Sequence, residues 1–389
     1  MKTGHIYLYL SLLCLLFLGS CSSKQPHTEE SELVVVNVEK SYPVKKLKLQ
    51  DIAKVEYLPL ETTDEFLWSR GGVNTFSDKY ITNFNREKGD LLIFDRNGKG
   101  VATFNRQGGS GEEYAPHSDL MLDEENNEII VNDNNQKKIV VYDMEGTFKR
   151  VMYYAEDKWY LSLVNYDKNT FIAYNRQTED EKENSFLFLS KTTGEVIEEM
   201  VIPATGNKLS TRIETSFNGQ RATISFAYYP ITIGESDFIL NEVSNDTLFA
   251  LSPSRELRPI YVQTPSRGTM DPQVFLYLNK ESDRYAFFNT MDKKIDLSKG
   301  QGPKNRYLVY DKQEKAFYES EIFNDDYTID LNLFLHEQHF IQRNQSVQEL
   351  NTINLIQFYE NNALQGKLKE IAANLDEEDN PVLMIVTLH

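Results

Sequence analysis

The chain has 389 residues, of which 40% are hydrophobic and 12% are aromatic, so it can bury a large core. Its formal net charge of −18 disfavours binding to nucleic acids and to anionic membrane surfaces. Both cysteines, Cys14 and Cys21, lie near the N-terminus, which excludes a disulfide scaffold, a zinc knuckle or a catalytic thiol from the rest of the chain.

The N-terminus has the pattern of a bacterial lipoprotein signal. Lys2 precedes an apolar run, Ile6–Leu18, that is too short to span a bilayer and suits the core of a signal peptide. The run ends in Leu-Gly-Ser-Cys21, which resembles a lipobox, whose cysteine is acylated. We therefore predict a signal peptide over residues 1–20 and lipid attachment at Cys21. Ordinary signal cleavage beside a chance cysteine is the alternative.

The residues after Cys21 predict where the protein resides. Residues 21–32 are polar and without periodicity, so they are expected to form a flexible tether between the lipid and a domain over 33–389. Ser22 takes the place of an Asp, which favours the outer membrane of the cell envelope. Whether the protein faces the periplasm or the cell surface is left open.

A repeated unit dominates the rest of the chain. The runs Ile81–Asn85 and Leu91–Asp95 have counterparts in Ile129–Asp133 and Ile139–Asp143 about fifty residues later, and each run ends in Asn or Asp. A unit of four short strands that recurs every roughly 40–50 residues is typical of a propeller blade. We predict an all-β fold, a six-bladed β-propeller. The first four units begin near Trp68, Asp119, Tyr160 and Ala222, the fifth includes Tyr285–Asn289 and Tyr307–Asp311, and the sixth starts with Leu331–Leu335.

The sixth unit and the closure of the ring need a separate assignment. We assign to this unit the segments Leu331–Leu335, Phe340–Gln342, Ile353–Tyr359 and Val382–Leu388. Apolar residues at helical spacing predict a short helix between Ala363 and Asp376, before the last strand. Two β-rich segments upstream of the first unit are candidates to complete the last blade, namely Leu33–Val38 and Val55–Leu60.

Three segments resemble those of a known group of proteins. They are Val55–Thr62, the glycine-rich loop Phe104–Tyr114 and Asn380–Met384. The chain resembles the six-bladed β-propeller lipoproteins of gut and oral Bacteroidetes-type bacteria, which are distantly similar to NHL-repeat propellers. The loop departs from the usual pattern because it lacks a proline before Glu113. The resemblance implies a fold and a location in the cell envelope, and it implies no activity.

Several polar motifs are weighed against simpler interpretations. An Asn lies near the end of the second strand of every unit, where it either starts a turn or contacts a ligand: Asn85, Asn134, Asn175, Asn241, Asn289 and Asn344. The glycines at 108–111 favour a crossing between blades over a nucleotide site, because no helix and no Gly-Lys-Ser/Thr follow. His336 and His339 lack zincin spacing, and the calcium-type oxygens at 123–127 and 132–135 lack the EF-hand pattern.

In propellers, the loops from strand 2 to strand 3 and from strand 4 to the next blade share one face. We predict that this face carries a binding site and receives Arg70, Arg106, Glu112, Tyr114, Trp159, Arg176 and Arg212. The insertions Gln177–Asn184 and Thr290–Asn305 are expected there too. Guanidinium groups beside aromatic rings suit an acidic sugar or a carboxylate-bearing peptide. The alternative is that each arginine pairs separately with a nearby carboxylate.

The sequence favours a non-catalytic binding or scaffold lipoprotein for a glycan, a peptide or a partner protein. We predict a monomer held at the membrane by its lipid, with no nucleic-acid partner and no cofactor. The alternative is a calcium-dependent lactonase or esterase, as in other six-bladed propellers, which needs a cluster of carboxylate and Asn side chains at the channel. No Gly-x-Ser-x-Gly motif supports a hydrolase.

Overall fold

Strands and tight turns alternate along almost the whole chain. The computed structural model describes residues 33–389 except 69, 178–183, 218–219, 226–227, 296–298, 300–301, 337 and 339. The predicted signal peptide, Cys21 and the tether lie outside the described residues. Four short elements come first: β1 (Val34–Asn37), β2 (Val44–Lys48), α1 (Leu49–Ile52) and β3 (Ala53–Pro59).

Blades 1 to 3 are antiparallel sheets, each built from four consecutive strands. Blade 1 comprises β4 (Val73–Phe76), β5 (Tyr80–Phe84), β6 (Asp90–Asp95) and β7 (Gly100–Asn105). Blade 2 comprises β8 (Asp119–Asp123), β9 (Glu128–Asp133), β10 (Lys138–Tyr142) and β11 (Phe148–Tyr153). Blade 3 comprises β12 (Tyr160–Asn165), β13 (Thr170–Asn175), β14 (Ser185–Ser190) and β15 (Val196–Met200).

A separate hairpin, β16 (Arg212–Phe217) and β17 (Gln220–Ser225), follows blade 3. Blade 4 then comprises β18 (Ile231–Ile233), β19 (Phe238–Asn241), β20 (Thr247–Leu251) and β21 (Leu257–Thr264). Blade 5 comprises β22 (Val274–Glu281), β23 (Tyr285–Asp292), β24 (Asn305–Asp311) and β25 (Ala316–Phe323), with the short β26 (Asn332–Leu333) paired to β25.

Blade 6 joins the two ends of the described chain. It comprises β27 (Gln345–Leu350), then α2 (Thr352–Glu360) and α3 (Gly366–Ala372) as an insertion, and then β28 (Val382–Leu388). The N-terminal β3 pairs antiparallel with β28 and completes the sheet in the order β27-β28-β3. The ring of the six-bladed propeller is thus closed by hydrogen bonds between the first and last parts of the fold.

The same turn chemistry recurs in successive blades. In blade 2, the carboxylate of Asp143 accepts hydrogen bonds from the backbone amides of Glu145 and Thr147, and Gly146 has a φ of 80°. In blade 1, the carboxylate of Asp95 accepts hydrogen bonds from the backbone amides of Asn97 and Lys99, and Gly98 has a φ of 80°. A short side chain that bonds the turn backbone, followed by a glycine that tolerates positive φ, makes these tight turns favourable.

The core lies between the faces of neighbouring blades. Alternate side chains of each strand point to opposite faces, so both faces of a blade pack against the adjacent blades. One buried cluster lies at each junction; the cluster between blades 1 and 2 includes Phe84, Leu91, Tyr114 and Tyr142. The connections from strand 2 to strand 3, and from one blade to the next, share the face that we call the upper face. The turns from strand 1 to strand 2 lie on the lower face.

The N-terminal segment contacts three blades in turn. β1 pairs in parallel with β21 at the outer edge of blade 4, and β2 pairs in parallel with β25 at the outer edge of blade 5. β3 then supplies the outer strand of blade 6. Lys45 in β2 forms an ion pair with the buried Asp311 at 2.7 Å, which holds β2 against blade 5. The segment therefore connects blades 4, 5 and 6 along their outer edges.

Residues Phe340–Asn344 connect strands of blades 1, 4 and 5 on the lower face. Phe340 forms a bridge with Thr75 in blade 1, and Arg343 bonds the backbone of Ile233 in blade 4 and of Glu281 in blade 5. The Gln338 side chain accepts a hydrogen bond from the amide of Val347 and donates one to its carbonyl. It thus satisfies the inner edge of β27, since blade 6 has three strands within the described residues.

Several assignments for the outer units were wrong. Leu331–Leu335 contributes β26 to blade 5 rather than a strand to the sixth unit, and Phe340–Gln342 forms no strand of blade 6. Ile353–Tyr359 belongs to α2, which begins at an Asn351 cap whose side chain accepts a hydrogen bond from the amide of Asn354. The fourth unit begins at Ile231, because Ala222 belongs to the inserted hairpin. Leu33–Val38 contributes β1 to blade 4 rather than a strand to the last blade. The helix predicted over Ala363–Asp376 is present as α3.

Candidate functional site

A cavity of about 420 Å³ opens on the upper face, where blades 3 and 4 meet the inserted hairpin. Arg176 and Arg212 both line it, together with Lys208. The side chains that form other parts of the cavity wall include Tyr174, Tyr228 and Val243. Of the four arginines predicted to share a site, two therefore lie in one cavity.

Local backbone bonds fix the two arginines. Arg176 follows β13 directly, and its amide donates to the carbonyl of Trp159 at 3.0 Å. The Asn175 side chain accepts the amide of Trp159 at 2.8 Å, so two adjacent bonds set the position of this loop. Arg212 is the first residue of β16, and its amide donates to Ser210 Oγ at 3.1 Å.

The two arginines have no charge partner among the residues that the structure describes. Neither guanidinium forms an ion pair or a side-chain hydrogen bond with a residue that the structure describes. Burial and the positive charge of Arg212 lower the pKa of Arg176 from its ordinary value. Two positive charges near each other are a suitable arrangement for an anion, which would relieve the repulsion between them.

A buried carboxylate, Glu242, lies behind the wall of the cavity. Its Oε2 accepts the hydroxyl of Tyr174 at 2.6 Å, and its Oε1 accepts the Asn184 side-chain amide at 3.0 Å and the backbone amide of Ser244 at 3.2 Å. Burial raises the pKa of Glu242 from its ordinary value, although these bonds oppose the shift. Since Tyr174 and Asn184 both line the cavity, Glu242 fixes the orientation of two wall residues.

Arg267 supports the same wall from deeper inside. Its side chain is 1% exposed and its Nη1 donates to the carbonyl of Val243 at 3.1 Å. Asp246 lies 3.5 Å from its Nε, and the ring of Phe275 lies 5.6 Å from its guanidinium carbon. Arg267 thus holds the backbone of a wall residue, but it is not among the residues that line the cavity.

The other predicted site residues lie elsewhere. Tyr114 is fully buried in the core between blades 1 and 2, and its hydroxyl donates to the carbonyl of Gly89 at 2.7 Å, so it is a packing residue. Arg106 donates to the carbonyl of Gly146 at 2.8 Å in a turn of blade 2. Glu112 is exposed, and its backbone carbonyl accepts the Tyr142 hydroxyl.

Trp159 and Arg70 are also outside the cavity wall. Trp159 contributes the carbonyl that holds Arg176, while the Lys137 ammonium lies 5.4 Å from its ring. Arg70 is exposed in the connection from blade 6 to blade 1. Most of the insertion Gln177–Asn184 lies outside the described residues, although both of its end residues line the cavity. The ends of Thr290–Asn305 belong to β23 and β24.

The calcium-type oxygens have protein partners. Asp123 forms an ion pair with the buried Lys191 at 2.7 Å and accepts bonds from Asn126. Asp133 accepts three backbone amides, those of Ala115, Asn135 and Gln136. Within the described part of the chain, no three His, Cys, Asp or Glu side chains are grouped as a metal site would need. His339 lies outside the described residues.

The asparagines at the ends of the second strands also bond the protein. The side chain of Asn85 accepts the amides of Glu87 and Lys88 in a turn, as the simpler interpretation predicts. Asn241 donates instead to the carbonyl of Leu276 in the neighbouring blade at 3.3 Å. Among the residues that the structure describes, no helix is long and apolar enough to cross a membrane.

Sequence reasoning missed Lys208, Tyr228 and Glu242. The first two lie in the connection between blades 3 and 4, and a long connection inside a compact repeat is the signal that could have indicated them. The sequence indicates Glu242 more weakly. Its only distinguishing feature is that it directly follows an apolar strand that ends in Asn241.

Comparisons with known proteins identify the fold and the family. The crystal structure of a "Putative exported protein" from Bacteroides fragilis is similar over 89% of this chain and 99% of that chain, with 16% identity and a TM-score of 0.60. A DUF4221 family member from Bacteroides vulgatus has 12% identity over 87% of this chain and 97% of its own, with a TM-score of 0.48. No curated protein matches the sequence. The model of DUF4934, a domain of unknown function, matches residues 33–387, so the chain belongs to the DUF4934 family.

Proposed function

We propose that this protein is a lipid-anchored, extracytoplasmic binding protein that holds a carboxylate-bearing ligand in the upper-face cavity without transforming it. The observation that carries the proposal is the position of Arg176 and Arg212, which line one cavity and have no acidic partner among the described residues. Such a pair stands out in a chain that carries 59 acidic and only 41 basic residues.

The chemistry of the cavity suits a carboxylate. A guanidinium presents planar N–H groups that match the two oxygens of a carboxylate, and such charge-assisted bonds are about twice as strong as neutral ones. The half-buried ring of Tyr228 and the side chain of Leu209 add an apolar wall against which a sugar ring can pack. The proposal includes no reaction.

The proposed localisation is supported by the N-terminal sequence. The apolar run before Cys21 and the lipobox pattern support export and acylation. The similar Bacteroides fragilis structure bears the name of an exported protein, which agrees with this address. An anchored propeller with an open upper face would present its ligand site to the periplasm or to the medium.

Calorimetric titration of the purified full-length protein tests the proposal. The ligands are digalacturonate and a Glu-Glu dipeptide, each with its neutral counterpart, galactobiose and a Gln-Gln dipeptide. We expect at least one acidic ligand to bind and the neutral counterparts not to bind. Arg176→Gln should weaken the binding by about tenfold or more, since a hydrogen bond to a charged group contributes about 1.5–3 kcal/mol.

Arg255→Gln is the matched control. Arg255 forms an ion pair with Glu198 at 2.5 Å in the β20–β21 turn and does not line the cavity. Its replacement removes the same charge and should leave the affinity unchanged. If both variants weaken binding equally, the effect is one of net charge and not of the cavity. If none of the acidic ligands binds, the proposal is overturned.

A further inference from the structure

Glu242 is a buried titratable group that the capture of a carboxylate by the arginines does not use. Its side chain is 2% exposed and lies one hydrogen bond behind the cavity wall. Its Oε2 accepts the hydroxyl of Tyr174 at 2.6 Å, and its Oε1 accepts the side-chain amide of Asn184 at 3.0 Å. Both partners line the cavity, and the described residues of that lining include no carboxylate and no histidine. A buried negative charge therefore lies close behind the wall at which a second negative charge is proposed to bind.

The groups around Glu242 determine how strongly it holds its charge. Burial raises the pKa of Glu242, although the bonds from Tyr174, Asn184 and Ser244 and the charge of Arg267 oppose the shift. Burial also raises the pKa of Tyr174 well above its ordinary value, and there the charge of Arg176 opposes the shift. The ionisable side chains within electrostatic reach of Glu242, or of its neighbours Tyr174 and Arg267, are Tyr174, Arg176, Tyr228, Asp246, Arg267 and Tyr277.

An anion in the cavity changes this electrostatic balance. The free cavity presents the positive charges of Arg176 and Arg212, and positive charge near a carboxyl group favours its ionised form. A bound carboxylate neutralises part of that charge and adds a like charge, so it makes the ionised form of Glu242 less favourable. Because Glu242 is buried, solvent and salt screen this effect only weakly. We therefore expect the pKa of Glu242 to be higher in the complex than in the free protein.

The hydrogen bonds of Glu242 can accommodate the added proton. Oε1 can keep the bonds from Asn184 and from the backbone amide of Ser244. A proton on Oε2 can be donated to Tyr174 Oη, because a phenol oxygen accepts as well as donates. Protonation of Glu242 from the solvent therefore leaves this carboxyl group with three hydrogen bonds.

We infer that the binding of an anion in this cavity is coupled to the uptake of a proton by Glu242, so that mildly acidic conditions strengthen capture and alkaline conditions favour release. The inference rests on the proposed function and adds a mode of regulation to it. The gain in affinity is fully present below the pKa of Glu242 in the free protein, and it is lost as the pH rises through the pKa in the complex. Below about pH 4 the carboxylate of the ligand is itself protonated, and binding weakens again.

Calorimetric titration of the full-length protein with digalacturonate tests the coupling. Titrations at about pH 6, where the ligand is ionised, are made in bis-tris and in imidazole, whose different protonation enthalpies reveal the number of protons taken up. We expect uptake of a fraction of one proton, and an affinity that rises about tenfold from about pH 8 to about pH 5, as one pKa unit of change on binding would give. An affinity that does not depend on pH, with no proton uptake, would overturn the inference.

Glu242→Gln tests whether Glu242 takes up the proton. The glutamine side chain has a similar shape and does not titrate, so we expect binding without proton uptake and an affinity that varies little over the same pH range. A merely structural role would instead weaken binding at every pH and leave the uptake unchanged. Glu256→Gln, which removes an exposed carboxylate from the β20–β21 turn, is the matched control and should keep the wild-type uptake. Uptake that persists in Glu242→Gln contradicts the inference.

Tyr174→Phe keeps the test decisive if Glu242→Gln folds poorly. This variant removes a hydrogen bond that favours the ionised form of Glu242, so the pH at which proton uptake is largest should rise. Tyr166→Phe removes a hydroxyl that donates to the carbonyl of Ser252, away from the cavity, and should leave that pH unchanged. An unshifted maximum in Tyr174→Phe contradicts the role of Glu242.

The failure of the coupling and the failure of the proposed function give different results. If digalacturonate does not bind and the Glu-Glu dipeptide does, the same titrations are made with the dipeptide. If a ligand binds, needs Arg176 and takes up no proton, the site is real and the coupling is wrong. If neither acidic ligand binds at any of these pH values, the proposed function is wrong and the coupling falls with it.

Discussion

Single residues at the upper face differ in how well the sequence indicates their role. Arg176 and Arg212 could be placed on the upper face because each adjoins a blade connection, and both line the cavity. Tyr114 adjoins such a connection too, yet it is buried, because an aromatic ring next to glycines can fold back into the junction between blades. Position in a loop therefore predicts the face of the propeller, but not whether a side chain reaches solvent.

Glu242 was not indicated by the sequence, since its role depends on three donors from separate segments. A buried carboxyl whose pKa is raised binds its proton more tightly in the folded state than in the unfolded chain. Its contribution to stability is therefore fully present below the ordinary carboxyl pKa, and it is lost as the pH rises through the raised pKa.

This dependence of stability on pH leads to a prediction for Glu242→Gln, because the glutamine side chain does not titrate. We expect the melting temperature of the wild type to rise relative to that of the variant as the pH falls from neutrality towards the ordinary carboxyl range. Thermal melts of both proteins at a series of pH values measure this difference. An exposed control, Glu256→Gln, should show no such trend. A difference that stays constant, or that changes in the opposite direction, would contradict the environment described for Glu242.

At the scale of elements, regular blades are predictable and the closure of the ring is only partly so. Blades 1 to 3 consist of apolar runs ended by Asp-containing or Ser-containing turns, and local turn chemistry sets their boundaries. β27 was missed because Gln345–Leu350 is largely polar, and α2 was taken for a strand because its β-branched and aromatic residues suit either structure. Pairing partners of β1 and β2 depend on the whole ring and could not be derived from local sequence.

Deletion of the last strand should unfold the propeller. β28 is the central strand of blade 6, and six of its apolar side chains are buried: Val382, Leu383, Met384, Ile385, Val386 and Leu388. At about 1.5–3 kcal/mol for each buried side chain, the loss is roughly 10 kcal/mol or more, which matches the whole stability of a typical domain. We expect a chain that lacks Val382–His389 to show no cooperative thermal transition.

Deletion of Leu33–Asn37 is the matched comparison. β1 is the first strand of the fold, but Val36 is its only fully buried side chain, and it pairs at the outer edge of blade 4. This variant should melt cooperatively, a few degrees below the full chain. If the chain without β28 melts within a degree or two of the full-length protein, the assignment of the ring closure to β28 and β3 is wrong.

For the whole molecule, the central prediction from the sequence is the membrane anchor. The Leu-Gly-Ser-Cys21 pattern predicts that the thiol of Cys21 receives the lipid, and a cleaved chain with no other anchor would leave the membrane. Metabolic labelling with a fatty-acid analogue should mark the wild type and not Cys21→Ala. The unlabelled variant should also move to the soluble fraction. Equal labelling of both proteins would contradict acylation at this residue.

The whole chain is strongly acidic, whereas three basic side chains line the cavity: Arg176, Lys208 and Arg212. The fold follows from the repeat pattern, whereas the proposed ligand chemistry depends on which side chains of blades 3 and 4 meet the inserted hairpin. The proximity of Arg176 and Arg212 depends on the tertiary structure, since the last two strands of blade 3 separate them in the sequence. A sequence can place each arginine on a loop, but it cannot show that the two share one cavity.

The most direct measurement is a double-mutant cycle on Arg176 and Arg212, with the dissociation constant of digalacturonate as the readout. If both guanidiniums hold one carboxylate, each Gln variant should weaken binding by about tenfold or more, and the double variant should weaken it by less than the product of the two. The coupling would show that the two side chains act on the same group. An affinity that is unchanged in the double variant, or effects that multiply fully, would contradict a shared anion site.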